Sequence, residues 1–124
     1  MKSVRTEMAP VPIGPYSQAI ISDKMIFCSG QLGIDPITKK LVTSGTADEA
    51  RQGIENIRAI LEAAGSSLEK VVKVTIFMTD LDHFKEVNAI YADSFKEPFP
   101  ARTTVGVARL PLGATIEIDV VASI

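Results

Sequence analysis

The sequence predicts an α+β domain in which two helices pack on one face of a mixed β-sheet. Five runs rich in β-branched and apolar residues read as strands, and two segments repeat apolar residues at the three- and four-residue steps of an amphipathic helix. Their order along the chain is strands, helix, strand, helix, strands, which is typical of an α+β sandwich. A length of 124 residues suits one domain, here taken as residues 1–124.

The first two strands form a predicted hairpin. Residues 17–22 and 25–29 are short apolar runs on either side of Asp23 and Lys24. Before them, residues 9–16 contain three prolines and a glycine, which forbids a helix and predicts an ordered loop. The stretch 30–45 is rich in glycine and is predicted to be mostly loop as well.

Residues 46–64 carry the clearest helical pattern. Thr46 and Glu49 have the spacing of a capping box, and Gly65 supplies a stop. The apolar face comprises Ala50, Ile54, Ile57, Leu61 and Ala64. A second helix is predicted after a cap at Asp80 or Asp82, and Pro98 and Pro100 end it. Its apolar face comprises Phe84, Val87, Tyr91 and Phe95.

Three further strands are predicted at 71–78, 102–109 and 115–121, the first with both faces largely buried. In the last, Ile116, Ile118 and Val120 share one face, and Glu117 and Asp119 lie on the other. In the strand before it, Arg102, Thr104 and Gly106 share a face. Because two helices cover only one face of the sheet, the other face needs a partner, for which a second copy of the chain is the simplest candidate.

Composition excludes several functional classes. The net charge of −2 gives no general attraction to phosphate backbones and argues against non-specific nucleic-acid binding. With one cysteine, Cys28, and one histidine, His83, one chain cannot build a disulfide scaffold or a Cys₂His₂ zinc site. The N-terminus does not resemble a signal peptide, and no apolar run approaches the roughly 20 residues that span a bilayer. We therefore expect a cytoplasmic protein without a metal or other cofactor and without a membrane partner.

Few residues could carry chemistry. His83, in a polar first helical turn, and Cys28, in an apolar strand, are interpreted as a surface histidine and a buried inert thiol. Arg102 could bind a carboxylate in two-pronged fashion or form an ordinary surface ion pair. Glu117 could act in a site or simply face solvent, and Tyr16 could line a pocket or pack its own loop. The residues alone predict an oligomeric domain with a candidate anion site.

Several motifs closely resemble the reactive intermediate deaminase (Rid, YjgF-type) family. They are Ile13-Gly14-Pro15-Tyr16-Ser17-Gln18-Ala19, Ser29-Gly30-Gln31, Ile34-Asp35-Pro36, Gln52-x-x-x-Asn56-x-x-x-Ile60-Leu61, the run from Pro100 to Pro111, and Ile116-Glu117-Ile118. The resemblance covers essentially the whole chain. It implies a chorismate-mutase-like fold, a homotrimer with clefts between subunits, and hydrolysis of 2-imino acids and their enamine tautomers to 2-keto acids and ammonia.

The resemblance also implies roles for individual residues. Arg102 matches the carboxylate clamp, and Glu117 matches the carboxylate that positions or activates water. Tyr16 and Ser29 match pocket residues, while Gly30 and Thr104 match positions whose main chain meets the ligand. Asn88 and Tyr91 match positions near the cleft.

The chain departs from the family at two positions. Many members carry cysteine where Thr104 stands and glutamate where Gly106 stands. Three other functions stay open: a non-catalytic module that binds small keto or amino acids, a translation-inhibiting endoribonuclease, and a chaperone-like or regulatory partner role. Retention of both Arg102 and Glu117 favours the enzyme, and the absence of a basic stripe with stacking aromatics argues against the ribonuclease.

Overall fold

The structure is a computed structural model that describes residues 1–124. Its strands are β1 (Lys2–Val4), β2 (Ala19–Ser22), β3 (Met25–Cys28), β4 (Val71–Met78), β5 (Ala101–Gly106) and β6 (Ile116–Ser123), and its α-helices are α1 (Thr46–Ala63) and α2 (Phe84–Ser94). The strands form one sheet in the order β1-β2-β3-β6-β4-β5. Only β4 and β5 are parallel. The predicted mixed sheet with two helices is confirmed.

The core lies between the sheet and the helices. Alternate residues of β4 and β6 are buried, as the period of two requires when one face of a sheet packs against helices. These side chains are Val74, Ile76, Met78, Ile116, Ile118, Val120 and Ala122. From α1, Ile54, Ile57, Ile60 and Leu61 close the other side. This side of the sheet is called the helix face below.

The opposite side of the sheet, called the open face, is not covered by either helix. Its side chains on the four strands β3, β6, β4 and β5 include Phe27, Lys73, Thr75, Phe77, Thr103, Val105, Glu117, Asp119 and Val121. Phe27 is 48% exposed and Val105 38% exposed. On β4 itself, Lys73, Thr75 and Phe77 are only half-buried and Val72 is exposed, so the prediction that both faces of the strand at 71–78 are largely buried is wrong for the single chain.

The ends of α1 differ in how well the sequence predicts them. The capping box is wrong, because Gly45 is the N-cap and no side chain caps the helix. The Glu49 carboxylate instead accepts hydrogen bonds from the Thr115 amide at 2.8 Å and hydroxyl at 2.7 Å. At the other end the predicted stop is confirmed: Gly65 has a φ of 83°, and the Ser66 amide donates to the Leu61 carbonyl at 2.8 Å.

Two strands differ from prediction. β1 was not predicted, because three residues are too short to show alternation; it pairs with β2 and buries Val4. The strand predicted at 102–109 ends at Gly106, where the side chain of Leu81 packs within 3.3 Å of the place that a Cβ would occupy. β5 lies at the edge of the sheet, so β4 is its only neighbouring strand and no second strand extends its pairing.

Buried amides hold the loops that flank the sheet. The Gln18 side chain accepts from the Thr6 amide at 2.7 Å and donates to the Thr6 and Pro10 carbonyls at 2.9 Å, which fixes the proline-rich loop. The Asn56 amide of α1 donates to the carbonyls of Leu32 and Ile34. Because buried polar groups need partners, these contacts give the loops one defined position.

Candidate active site

The two candidate charged residues lie on opposite faces of the sheet. Arg102 on β5 pairs with Val74 and therefore points to the helix face. Glu117 on β6 pairs with Phe77 and points to the open face. Their strands are separated by β4, which puts the backbones about 10 Å apart. One chain therefore does not bring Arg102 and Glu117 into a common cleft.

The Arg102 guanidinium rests on aromatic rings of α2. Its central carbon lies 4.7 Å from the ring centre of Tyr91 and 5.4 Å from that of Phe84. Such cation–π contacts attract a guanidinium to the face of the ring. The guanidinium makes no ion pair or hydrogen bond within the chain, in contrast to Arg51, which pairs with Asp48 at 2.6 Å. Arg102 is thus positioned while its hydrogen-bond donors stay free.

An open pocket of about 320 Å³ lies beside this arginine. Its lining residues are Tyr91, Ala92, Phe99, Pro100 and Arg102. The walls are mostly apolar, and Arg102 is the charged group among the lining residues. An apolar pocket with one free guanidinium suits a small organic anion, because the arginine fork matches the two oxygens of a carboxylate.

Thr104 and Asn88 belong to the same half of the site. Thr104 follows Arg102 by two residues on β5 and shares its face. Asn88 is half-buried and lies one helical turn after Phe84, on the α2 surface that carries the aromatic rings. The hydroxyl oxygens of Thr104 and Tyr91 are buried and have no hydrogen-bond partner.

The second half of the site is built around Glu117. Its carboxyl carbon lies only 2.8 Å from the place that a Cβ on Gly30 would occupy, so a side chain there would displace it. The next residues hold this approach: Gln31 and Ile118 exchange two backbone hydrogen bonds, at 2.7 and 3.0 Å. The glycine is therefore needed for close packing rather than for an unusual backbone angle.

The electrostatics of the open face favour protonation of its acids. Burial, and then the negative charge of Asp119, raise the pKa of Glu117 above its ordinary value. Burial also raises the pKa of Asp119, although a hydrogen bond from Thr75 and the charge of Lys73 oppose this rise. A carboxyl group whose pKa is raised toward neutrality is suited to both accept and return a proton.

Ser29 and Tyr16 lie near the start of the Gly30 segment but are held differently. The Ser29 hydroxyl donates to the Ser17 carbonyl at 2.6 Å, and the Ser29 amide donates to the Gln18 carbonyl at 2.9 Å. Tyr16 is 53% exposed at the end of the proline-rich loop. Ser29 thus ties this loop to β3, and the Tyr16 ring stays free to contact a ligand or another subunit.

The remaining reactive side chains are accounted for structurally. Burial, and then Asp119, raise the pKa of Cys28 to about 12, which keeps the thiol protonated. His83 is a surface residue that bonds to Glu86 at 2.6 Å. No group of three or more His, Cys, Asp or Glu side chains could hold a metal ion. None of the helices combines the length and hydrophobicity of a membrane-spanning segment.

Comparison with known proteins identifies the family. The family model described as endoribonuclease L-PSP matches residues 6–124. The chain belongs to this YjgF/Rid family. A RutC family protein of Aquifex aeolicus is 52% identical over 124 residues, covering 98% of each chain. Among relatives of assigned activity, the 2-iminobutanoate/2-iminopropanoate deaminase of Homo sapiens is 48% identical over 119 residues, covering 96% of this chain and 87% of the human one.

Solved Rid structures share the whole fold. RidA of the Antarctic bacterium Psychrobacter superposes with a TM-score of 0.97 at 43% identity, covering 100% of each chain. The predicted family membership and α+β fold are thereby confirmed. The family alone does not assign one activity, because relatives of similar identity carry only the name RutC family protein.

Proposed function

We propose that this Rid protein hydrolyses 2-imino acids such as 2-iminobutanoate and 2-iminopropanoate, and their enamine tautomers, to 2-keto acids and ammonia. The observation that carries the proposal is the free guanidinium of Arg102, held on an aromatic platform beside an apolar pocket. The human relative named for this activity, 48% identical, supports it.

In this proposal Arg102 binds the substrate carboxylate through two parallel hydrogen bonds. The contact with Tyr91 restricts the position of the guanidinium, so less conformational freedom is lost when the guanidinium binds its ligand. The short apolar side chain of the substrate then lies against the Phe99 and Pro100 walls of the pocket. This arrangement selects a small anion with an apolar tail.

Glu117 acts on the water in this proposal. The carboxylate takes a proton from a water molecule as the water oxygen adds to the carbon of the protonated imine, giving a neutral tetrahedral carbinolamine. That proton then passes to the amino nitrogen. As the C–N bond breaks and ammonia leaves, the carbinolamine hydroxyl gives its own proton to Glu117 and becomes the C=O group of the 2-keto acid. Such general acid–base help is typically worth about 10²–10⁴-fold. The raised pKa of Glu117 suits a group that takes and returns the same proton.

The proposal requires a second copy of the chain at the cleft. Arg102 and Glu117 lie on opposite faces of the sheet, so a cleft that contains both combines residues of two subunits. The open face, with exposed Phe27 and Val105, supplies apolar surface for such an assembly. We therefore propose a homotrimer with three clefts, each between neighbouring subunits, that needs no metal or organic cofactor.

The test couples a threonine dehydratase to the purified protein and follows imine decay and 2-oxobutyrate appearance. We expect faster conversion than in buffer with the dehydratase alone, and the same rate after treatment with a chelator. Unaccelerated decay with intact 2-oxobutyrate binding would instead make the protein a metabolite-binding module, and RNA cleavage without imine hydrolysis would make it a ribonuclease.

Matched variants separate the site from general charge effects. Arg51→Ala removes an arginine from the exposed surface of α1, and Glu62→Gln removes an exposed carboxylate from the same helix. Both should hydrolyse imine at the wild-type rate. Arg102→Ala and Glu117→Gln should not. Equal activity of all four variants would exclude the proposed site.

A further inference from the structure

Two hydroxyl groups beside Arg102 are unsatisfied. In the whole chain, the Tyr91 hydroxyl and the Thr104 hydroxyl are the buried side-chain polar atoms that have no hydrogen-bond partner. Elsewhere buried hydroxyls are paired, as in the 2.8 Å contact between Thr46 and Thr115. Buried polar groups are nearly always paired, so two exceptions at one place call for a ligand that pairs them.

The positions of these hydroxyls converge on one group. Tyr91 belongs to α2 and carries the Arg102 guanidinium on its ring, 4.7 Å away, while 94% of its own surface is buried (6% exposed). Thr104 belongs to β5 and stands two residues from Arg102 on the same face. The helix α2 and the strand β5 thus each place one unpaired hydroxyl, that of Tyr91 and that of Thr104, near Arg102. Tyr91 and Arg102 also both line the pocket.

The donors available define the ligand chemistry. Arginine has donors only, and a hydroxyl can donate one hydrogen. An ionised carboxylate is acceptor-only and offers about four lone-pair positions, of which a two-pronged arginine uses two. A carboxylate can therefore accept from Arg102 and from both hydroxyls at once. Arg102 is exposed and Thr104 half-buried, so contact with both hydroxyls requires the arginine and threonine side chains to shift when the carboxylate binds.

We propose that the Thr104 and Tyr91 hydroxyls donate hydrogen bonds to the carboxylate that Arg102 binds and so determine the affinity of the site for small carboxylates, 2-keto and 2-imino acids among them. This inference rests on the proposed function for the identity of the ligand. It adds side-chain recognition at Thr104, beyond any contact of its main chain. It also gives Tyr91 two separate tasks, since the ring supports Arg102 and the hydroxyl contacts the ligand.

The experiment is a calorimetric titration of the whole assembly with 2-oxobutyrate. Thr104→Val removes the hydroxyl at nearly constant volume, and Tyr91→Phe removes one oxygen while keeping the ring under Arg102. Each should bind about 10- to 100-fold more weakly, the range for one hydrogen bond to a charged group. Thr104→Ser, which keeps the hydroxyl, should bind within a few-fold of wild type, and Thr38→Val in an exposed turn should bind as wild type does.

Two further measurements exclude a merely structural role. Without ligand, Thr104→Val and Tyr91→Phe should be at least as stable to heat as wild type, because each loses an unpaired buried hydroxyl. Butyrate, which keeps the carboxylate and lacks the keto group, should lose affinity by the same factor as 2-oxobutyrate. A loss confined to 2-oxobutyrate would overturn the carboxylate assignment.

The outcomes separate this inference from the proposed function. If imine hydrolysis is accelerated but Thr104→Val and Tyr91→Phe bind as wild type does, the inference fails alone, and ordered water pairs the hydroxyls. If hydrolysis is not accelerated but both variants lose affinity, the proposed function fails alone. If the wild type binds neither acid, both fail. Should Thr104→Val not fold, Tyr91→Phe and Thr104→Ala, which also lacks the hydroxyl, decide the inference.

Discussion

At the scale of single residues, Arg102 and Glu117 are both charged but are held in different ways. Arg102 lies on two aromatic rings with its donors free, which suits constant binding of an anion. Glu117 is half-buried against Gly30 and beside Asp119, which favours its protonated form. Arg102 should therefore contribute mainly to ligand binding, and Glu117 mainly to turnover.

Substitution of these residues should separate the two effects. Arg102→Ala should lose roughly 2–5 kcal/mol of affinity for 2-oxobutyrate together with activity, because the ligand carboxylate is left without its partner. Arg102→Lys should rescue little, since an ammonium cannot reproduce the fork. Glu117→Gln should lose mainly turnover, by about 10²–10⁴-fold, while 2-oxobutyrate binding persists.

Calorimetry beside imine-decay kinetics measures both effects. Wild-type binding by Arg102→Ala would move the anion site elsewhere. Normal turnover by Glu117→Gln would leave Glu117 as a strand carboxylate that merely faces the cleft.

The neighbouring Asp119 should make stability depend on pH. Because the pKa values of Glu117 and Asp119 are raised above the ordinary 4.5 and 3.8, the folded chain holds protons that the unfolded chain releases. Stability is therefore lost as the pH rises through the interval between the ordinary and the raised pKa values. Three further groups interact with Asp119. Lys73 and Thr75 of β4 lower its pKa and so partly offset the effect of burial, and Cys28 of β3 has its own pKa raised by the Asp119 charge.

Asp119→Asn should consequently raise the thermal unfolding midpoint more at pH 7 than at pH 4. Asp23→Asn, an exposed turn position with a φ of 53°, is the control and should show no such difference. An equal gain at both pH values would mean that the open face does not disfavour the ionised acids.

At the scale of elements, the loop after β3 packs directly on the first turn of α1. A Cβ at Gly33 would lie 2.5 Å from the Cα of Glu49, whose carboxylate bonds to Thr115. The atoms in contact are backbone atoms, which cannot move aside as the end of a flexible side chain can. The contact therefore fixes α1 against the sheet, and with it the loop that leads from Gly30.

Gly33→Ala should destabilise the fold by about 1–3 kcal/mol, the usual cost of forcing extra volume into a packed contact. Gly53→Ala is the matched control: it lies within α1, and its nearest neighbour to an added Cβ is the Gln31 carbonyl at 3.5 Å. It should instead stabilise by about 0.5–1 kcal/mol, because alanine favours a helix over glycine. Urea unfolding measures both. A stable Gly33→Ala protein would show that the loop can move off α1.

At the scale of the whole molecule, the positions of Arg102 and Glu117 on opposite faces make the proposed site a property of the assembly. In the proposed ring of identical subunits, the exposed edge strand β5 of one chain, which carries Arg102, would meet the open face of the next chain, and the contact would repeat at each junction. The proposed cleft then has Arg102 from one chain and Glu117 from its neighbour.

Mixing two inactive variants tests this arrangement. When Arg102→Ala and Glu117→Gln chains are unfolded together in equal amounts and refolded, about a quarter of the clefts should combine an intact Arg102 with an intact Glu117 by random assortment around the ring. Imine hydrolysis should return to about that fraction of wild type. Each variant refolded alone should stay inactive.

Sedimentation of the refolded mixture gives the assembly state. Mixed trimers without recovered activity would mean that both residues of a cleft come from one chain. A stable monomer would overturn the assembly itself.

The sequence by itself determined the sheet-and-helix architecture, because apolar residues that recur every two positions in strands, as from Ile116 to Val120, or every 3.6 positions in helices can be recognised from neighbouring residues alone. It also determined the helix stop at Gly65, where a local backbone angle is all that is required. It could not determine that the Glu49 carboxylate bonds to Thr115 instead of capping the helix, since 66 positions separate the two residues. Nor could it decide which face Arg102 takes, because β5 is an edge strand exposed on both sides and its residues carry no clear alternation of burial. Only the pairing of β5 with β4 fixed that face, and with it the separation of Arg102 from Glu117 within one chain.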